Sequence, residues 1–326
     1  MGQPGAFAPG REAFDVARVA AVDCGTNSVR LLIADGDGDG QRDVVRRMEI
    51  TRLGQGVDAS GRLADAALER TRAVLADYGE AIRDLGVGAV RVAATSATRD
   101  AANRADFEAV VRETIGVIPE VITGDEEARL SFTGAVRGLA GAEPPFLVCD
   151  IGGGSTELVV GSPGPAGGYV VAGAHSMDVG SVRLTERHLR DDPPTPDQVA
   201  GAEADVRFAL AVARERVPVG QARTFVGVAG SITTIAGVAL GLDRYDSGRI
   251  HHSILTAATV AEVAELLLTS GHEQRAARTV IHPGRVDVIA AGALVLRVIM
   301  IELGLASMVV SEHDILDGLA ASLHAG

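Results

Sequence analysis

Val22-Asp23-Cys24-Gly25-Thr26-Asn27-Ser28-Val29-Arg30-Leu31-Leu32-Ile33 returns, without a gap, as Cys149-Asp150-Ile151-Gly152-Gly153-Gly154-Ser155-Thr156-Glu157-Leu158-Val159-Val160. Asp23 aligns with Asp150, Gly25 with Gly152, Ser28 with Ser155 and Leu31 with Leu158. In each copy an apolar run ends in Asp, crosses a turn of small polar residues and resumes as a second apolar run. That pattern predicts two strands joined by a tight turn whose backbone N–H groups face outward. Such turns suit phosphate oxygens. Two of them in one chain predict a duplicated domain gripping one phosphorylated ligand in the cleft between its halves.

Composition bounds the chemistry. The 326 residues suffice for two domains. Hydrophobic residues make up 47% and aromatics only 3%, so the cores must be built from Ala, Val, Leu and Ile. All thirty basic residues are arginine. Without lysine, a P-loop of the GK[ST] type and Schiff-base mechanisms are excluded. A net charge of −13 argues against broad nucleic-acid binding. The longest apolar run near the C-terminus, Val288 to Leu296, is too short to span a bilayer. The first sixteen residues lack the pattern of a secretory signal, and the expected location is cytoplasmic. Cys24 and Cys149, beside the repeat aspartates, read as small buried hydrophobes rather than a redox pair.

Residues 1–16 read as a flexible tail. Strands are expected at Val19–Asp23, Val29–Ala34 and Asp43–Ile50, with Asp35 to Gly40 as a polar hairpin turn. A helix from Leu63 to Leu85 follows, then a strand at Ala89–Ala94. Ser96 is expected to cap a helix running to about Thr114. A short strand at Glu120–Ile122 leads to a helix at Gly124. The second half restarts with strands Phe146–Asp150, Thr156–Val160 and Tyr169–His175. Helices are expected near Val182–Leu189 and from Asp197, then a strand Thr224–Val228 and a helix opening at Ala229-Gly230-Ser231. Helices Thr256–Leu268, Gly271–Thr279 and Arg285–Leu303, a strand at Val309–Val310 and a helix from Asp314 complete the order. The prediction is α/β: two βββαβα domains around a cleft, the duplicated ribonuclease H-like fold of actin, hexokinase and the heat-shock-70 ATPase. The domains are placed at 17–125 and 126–326, with the last helix able to pack back on the first.

Several residues fall where chemistry is expected. Gly25, Thr26, Asn27 and Ser28 form one anion loop; Gly152, Gly153, Gly154 and Ser155 form the other. Their glycines permit positive φ and close approach. Asp23 and Asp150, at strand ends, are placed to hold magnesium through water, or else to cap the loop amides. Glu157 stands where the first copy has Arg30. An acid beside a phosphate loop is unfavourable unless a metal or a proton transfer uses it. Glu126 and Glu127 open a helix, where carboxylates also simply complement the dipole. Arg99 can reach an anion or face solvent.

Asp23 to Arg30, Ala94-Thr-Ser-Ala-Thr-Arg-Asp-Ala-Ala-Asn103, Ile122-Thr-Gly-Asp-Glu-Glu-Ala-Arg-Leu130 and Asp150 to Leu158 resemble the exopolyphosphatase / guanosine pentaphosphate phosphohydrolase family. Arg285 to Gly292 and the strand before Ser311 are similar as well. The resemblance implies release of the terminal phosphate from inorganic polyphosphate, or from guanosine pentaphosphate, with Mg2+ or another divalent cation. By resemblance Glu127 is the water-activating base, and Asp150 and Glu157 organise metal and water. Arg99 and both loops bind phosphate. A homodimer is implied, with no nucleic-acid or membrane partner. Many longer relatives carry a further helical region, and a chain ending at Gly326 is expected to favour short polymers. The rival readings are an ATP-dependent kinase, which Glu127 and Glu157 disfavour, and an inactive polyphosphate or alarmone sensor.

Overall fold

The computed structural model describes residues 17–36, 40–139, 141–164 and 168–324. The 1–16 segment and the centre of the Asp35–Gly40 turn lie outside the described residues. The first half contributes β1 (Ala17–Cys24), β2 (Ser28–Gly36), β3 (Gln41–Ile50), β4 (Ala89–Ala94) and β5 (Glu120–Val121). The second contributes β6 (Phe146–Ile151), β7 (Thr156–Pro163), β8 (Tyr169–Met177), β9 (Thr224–Val228), β10 (Ile254–Thr256) and β11 (Ser307–Val310).

The strands order as β3-β2-β1-β4-β5 in one sheet and β10-β11-β9-β6-β7-β8 in the other. In each, an antiparallel β-meander of three strands continues through parallel neighbours: β1 with β4 and β5, β6 with β9 and β11. The second sheet therefore repeats the first, with β10 added antiparallel to β11. This is the duplicated actin-like topology. β10 was not anticipated: three residues with an exposed Ile254 give no alternation to read.

Central strands buried on both faces explain why β1, β2, β6 and β7 read as nearly continuous apolar runs. Helix Asp65–Asp84 covers one face of the first sheet through Leu68, Leu75, Tyr78 and Ile82. Helix Gly124–Val136 packs Ala128, Phe132 and Ala135 on Phe146, Val148 and Val159 of the second sheet. The last helix, Ile315–His324, lays Ile315, Leu316 and Leu319 on Val19, Ala21 and Leu32 of the first sheet. No helix among the described residues is long and apolar enough to cross a membrane.

Two expected helices differ. Ser96 is not a cap. Thr95 occupies that position, and the helix stops at Asp100 before a second one, Arg104–Thr114. Asn103 breaks it by accepting from Leu63 N at 2.8 Å and donating to Leu63 O at 3.1 Å. The Arg285–Leu303 helix begins only at Ile289, because Pro283–Arg285 forms a 3-10 turn instead.

Candidate active site

The two repeat turns have the same internal geometry. Gly25 N donates to Ser28 O at 3.0 Å, and Gly152 N donates to Ser155 O at 3.0 Å. In the first loop, Thr26 O accepts from Gly54 N, and Asn27 O from Thr51 N and Arg52 N. In the second, Gly152 O accepts from Ser181 N, and Gly153 O from Val182 N and Arg183 N. Fixing a carbonyl turns the N–H of the same trans peptide the other way. Among the described residues, the N–H groups of Thr26, Asn27, Gly153, Gly154 and Ser155 have no acceptor. Unspent amides on two facing turns form a nest for an anion.

The glycines serve contact rather than unusual backbone angles: none of Gly25, Gly152, Gly153 and Gly154 has positive φ. A Cβ on Gly153 would lie 2.9 Å from Thr26 Cβ, and one on Gly154 would lie 2.6 Å from Ser96 Oγ. The loops touch through Thr26, whose hydroxyl is 2.9 Å from that of Ser96.

Register carries the asymmetry of the repeat. Asp23 faces Arg30 across β1–β2, whereas Asp150 faces Glu157 across β6–β7. In the first copy an ion pair results: Arg30 donates to Asp23 Oδ2 at 2.7 Å and also to Asp314, from the loop after β11. In the second copy two carboxylates oppose each other. Ser131 donates to Asp150 Oδ2 at 2.5 Å, and Ser176 to Glu157 Oε1 at 2.6 Å. Glu127 pairs with Arg99 at 3.1 Å, and Arg99 also donates to Ile122 O. Its neighbour Glu126 instead pairs with Arg91 at the surface.

Burial dominates the protonation of this group. It pushes Glu127 up to about 8, against the Arg99 charge and with help from Asp150 and Asp23. Asp150 rises to about 7, through burial and the Asp314 charge. Burial, then Glu127 and Asp150, hold Glu157 well above the carboxylate range. Asp23 is raised too, because burial outweighs Arg30.

A small polar cavity of about 80 Å³ lies between the loops, walled by Asp23, both turns, Glu127, Asp150, Ser181, the Ala229-Gly230-Ser231 corner and Arg285. Its wall does not include Arg99 or Glu157. Arg99 stands behind Glu127, and Glu157 stands in contact with Ser176, 2% exposed. Gly154 is likewise off the wall, packed against Thr26 and Ser96. Sequence reasoning assigned no role to Arg285, which makes no ion pair among the described residues and whose proton affinity burial lowers. Gly230 leaves room for it in this position, since a Cβ there would meet Arg285 Nη2 at 2.1 Å and displace the guanidinium. Ala229, at φ 70, opens helix Ala229–Ala239 toward the cavity, so uncapped N–H groups add to the anion field. The cavity adjoins a wider chamber of about 650 Å³ that shares Arg30, Ala229, Gly230 and Arg285 and adds Arg46, Arg47, Tyr245 and His282.

The donors fit a hydrated divalent cation better than a caged one. Asp23 Oδ1 is buried without a partner, and Asp150 has one oxygen free of protein hydrogen bonds. No cluster of three or more His, Cys, Asp or Glu ligands occurs among the described residues. Two carboxylate oxygens beside the loop amides would suit Mg2+, which retains several waters when bound.

Stability reports the raised carboxylates. Glu127, Asp150 and Glu157 bind protons more tightly folded than unfolded. The stability they contribute is complete below the unfolded carboxylate range and is lost as pH rises through their folded values. The depressed histidines, such as His251 at about 4, act oppositely, but only below the ordinary imidazole range. Above the ordinary imidazole range, the melting temperature of metal-free protein is therefore expected to fall between about pH 6.5 and 8, up to the Glu127 value. A melting series in which it rises across that window would contradict the assignment.

Comparison with known proteins finds relatives over nearly the whole chain. The Ppx/GppA phosphatase family matches residues 32–324. Exopolyphosphatase 2 of Mycobacterium tuberculosis is 48% identical over 319 residues, covering 94% of this chain and 98% of that protein. The crystal structure of an exopolyphosphatase-like protein superposes with a TM-score of 0.91 at 42% identity, over 95% of this chain and 98% of the other. The Aquifex aeolicus member of the Ppx/GppA family gives a TM-score of 0.78 at 31% identity, over 94% and 97%. With its duplicated topology and paired loops, the chain belongs to the Ppx/GppA phosphatase family.

Proposed function

We propose that this protein is a cytoplasmic exopolyphosphatase that hydrolyses the terminal phosphoanhydride of inorganic polyphosphate. The observation that carries the reading is the set of unspent loop amides facing the same cavity as the buried carboxyl of Glu127. The Mycobacterium tuberculosis protein named an exopolyphosphatase supports it at 48% identity.

The terminal phosphoryl group fits the small cavity, with its oxygens on the N–H groups of Thr26, Asn27, Gly153 and Ser155 and on the Ser28 hydroxyl, while Gly25, Gly152 and Gly154 close and pack the turns. Arg285 meets the remaining charge. Such donors count most on the equatorial oxygens of the transition state, where charge accumulates. Glu127 takes a proton from water as its oxygen bonds to phosphorus, and the bridging P–O bond breaks to release a shortened chain. Asp150 and the free oxygen of Asp23 would hold the divalent cation, which supplies charge neutralisation on the phosphoryl oxygens. The departing chain runs into the wider chamber, past Arg46 and Arg47.

Arg99 acts through Glu127 in this geometry: it lowers that group's proton affinity, while Glu127 in turn raises that of the buried Glu157. The acid limb of kcat/KM should lie near the Glu127 value of about 8 in metal-free terms, with bound cation drawing it down. Arg99→Gln is expected to move that limb upward. A pH–rate profile with an unmoved limb would show that Arg99 does not tune the base.

The test is phosphate release from inorganic polyphosphate, guanosine pentaphosphate and ATP under identical conditions. Polyphosphate should give the highest kcat/KM. A higher value on guanosine pentaphosphate would transfer the assignment to that substrate, and phosphorylation by ATP would make the protein a kinase.

A further inference from the structure

The three carbonyls of the second loop are held differently. Those of Gly152 and Gly153 are fixed by backbone amides of helix Ser181–Arg187, within the same lobe. The third, Gly154 O, accepts from a side chain, Arg183 Nε, at 2.7 Å. Gly154 C=O and Ser155 N–H belong to one peptide plane, so this bond aims the last free amide of the loop. The other two arms of the guanidinium leave the lobe. Nη1 donates to Asp58 and Nη2 to Asp100, each at 2.6 Å. Both aspartates lie in the first half, in helices Val57–Ser60 and Ser96–Asp100. The first loop has no such dependence: Asn27 O, at the matching position, is held by Thr51 N and Arg52 N of its own lobe.

We propose that Arg183 is a positioning residue that makes the last anion-binding amide of the second loop depend on apposition of the two lobes. With the lobes together, the planar fork is held at three points and the Gly154–Ser155 peptide is fixed. With them apart, Asp58 and Asp100 withdraw, and the arginine is free to follow solvent. The cost of a misplaced amide falls on the transition state, because that is when the phosphoryl oxygens need it most. Asp58 is also held by Arg187, so Asp100 is the cleaner partner to remove.

This inference rests on the phosphohydrolase reading, and the experiment separates the two. Hydrolysis of tripolyphosphate would be measured for wild type, Arg183→Ala, Arg183→Lys, Asp100→Asn and the Arg183→Ala/Asp100→Asn double variant, with Glu127→Gln alongside and a melting curve for each. Arg183→Ala should lower kcat by roughly 10- to 100-fold with a smaller change in KM. Arg183→Lys should not recover it, since an ammonium cannot serve three acceptors in one plane. Asp100→Asn should lose part of the rate alone and nothing further in the Arg183→Ala background. Losses that multiply, or an Arg183→Lys enzyme matching wild type, would overturn the proposal. If Arg183→Ala melts below the assay temperature, Arg183→Lys and Asp100→Asn decide the same question. An inactive wild type, or an unaffected Glu127→Gln, would instead sink the phosphohydrolase reading.

Discussion

Glu127→Gln is expected to lower kcat by about 10²- to 10⁴-fold, the range for loss of a positioned general base. The change is isosteric and leaves an oxygen for Arg99, 3.1 Å from the present carboxylate. It also removes a buried charge that Asp150 and Asp23 disfavour. The melting temperature should accordingly hold or rise at alkaline pH, while KM changes little. That combination distinguishes a lost proton acceptor from a damaged fold. A variant that keeps wild-type kcat with a normal melting curve would remove Glu127 from the chemistry.

Arg285→Leu is expected to act mainly on binding. Arg285 is a cation of the cavity wall with no carboxylate partner among the described residues; its one polar contact is to Thr234 Oγ1 at 3.2 Å. A charge-assisted hydrogen bond is worth about 1.5–3 kcal/mol, so KM should rise roughly 10- to 150-fold. Burial disfavours the charge, so the folded protein should lose no stability when leucine replaces it. Arg30→Leu should behave in the opposite way. Its guanidinium bridges Asp23 and Asp314, and removing it leaves two buried carboxylates unpaired, a loss of about 3–5 kcal/mol. Melting curves for the pair check this: Arg285→Leu near wild type, Arg30→Leu many degrees lower.

The duplication was legible because Asp-turn-strand repeats are local. The apolar runs of β1–β2 and β6–β7, the Gly/Ser turns and the Asp at each strand end lie within twelve residues of one another in each copy. The order of strands 3-2-1-4-5 in both sheets follows from that start. What sequence could not supply was the direction of long side chains. Arg99, in the short helix that follows β4, was read as a phosphate ligand, yet its guanidinium turns back to Ile122 O and Glu127. Glu157 alternates correctly along β7 but faces Ser176 of β8 rather than the cavity. Arg285 was given no role, being read as the start of a helix, because its place depends on the 3-10 turn Pro283–Arg285, which delays the helix and frees the residue to face the cleft. Asp314 was read only as the start of the last helix, and its role appears when that helix packs on the first sheet and brings it to Arg30. Each of these depends on contacts between elements far apart in sequence. The same holds for the Arg30/Glu157 contrast: sequence shows the different residues, but only the register shows each facing its own Asp.

The central claim is that water attacks the terminal phosphorus directly, within the cleft between the two loops. Hydrolysis of tripolyphosphate in 18O-labelled water, read by mass spectrometry of the released phosphate, tests it. The account predicts one solvent oxygen in each phosphate released by wild type, and almost no labelled phosphate from Glu127→Gln. Phosphate released without solvent oxygen, or phosphoryl transfer to another acceptor in its place, would contradict it.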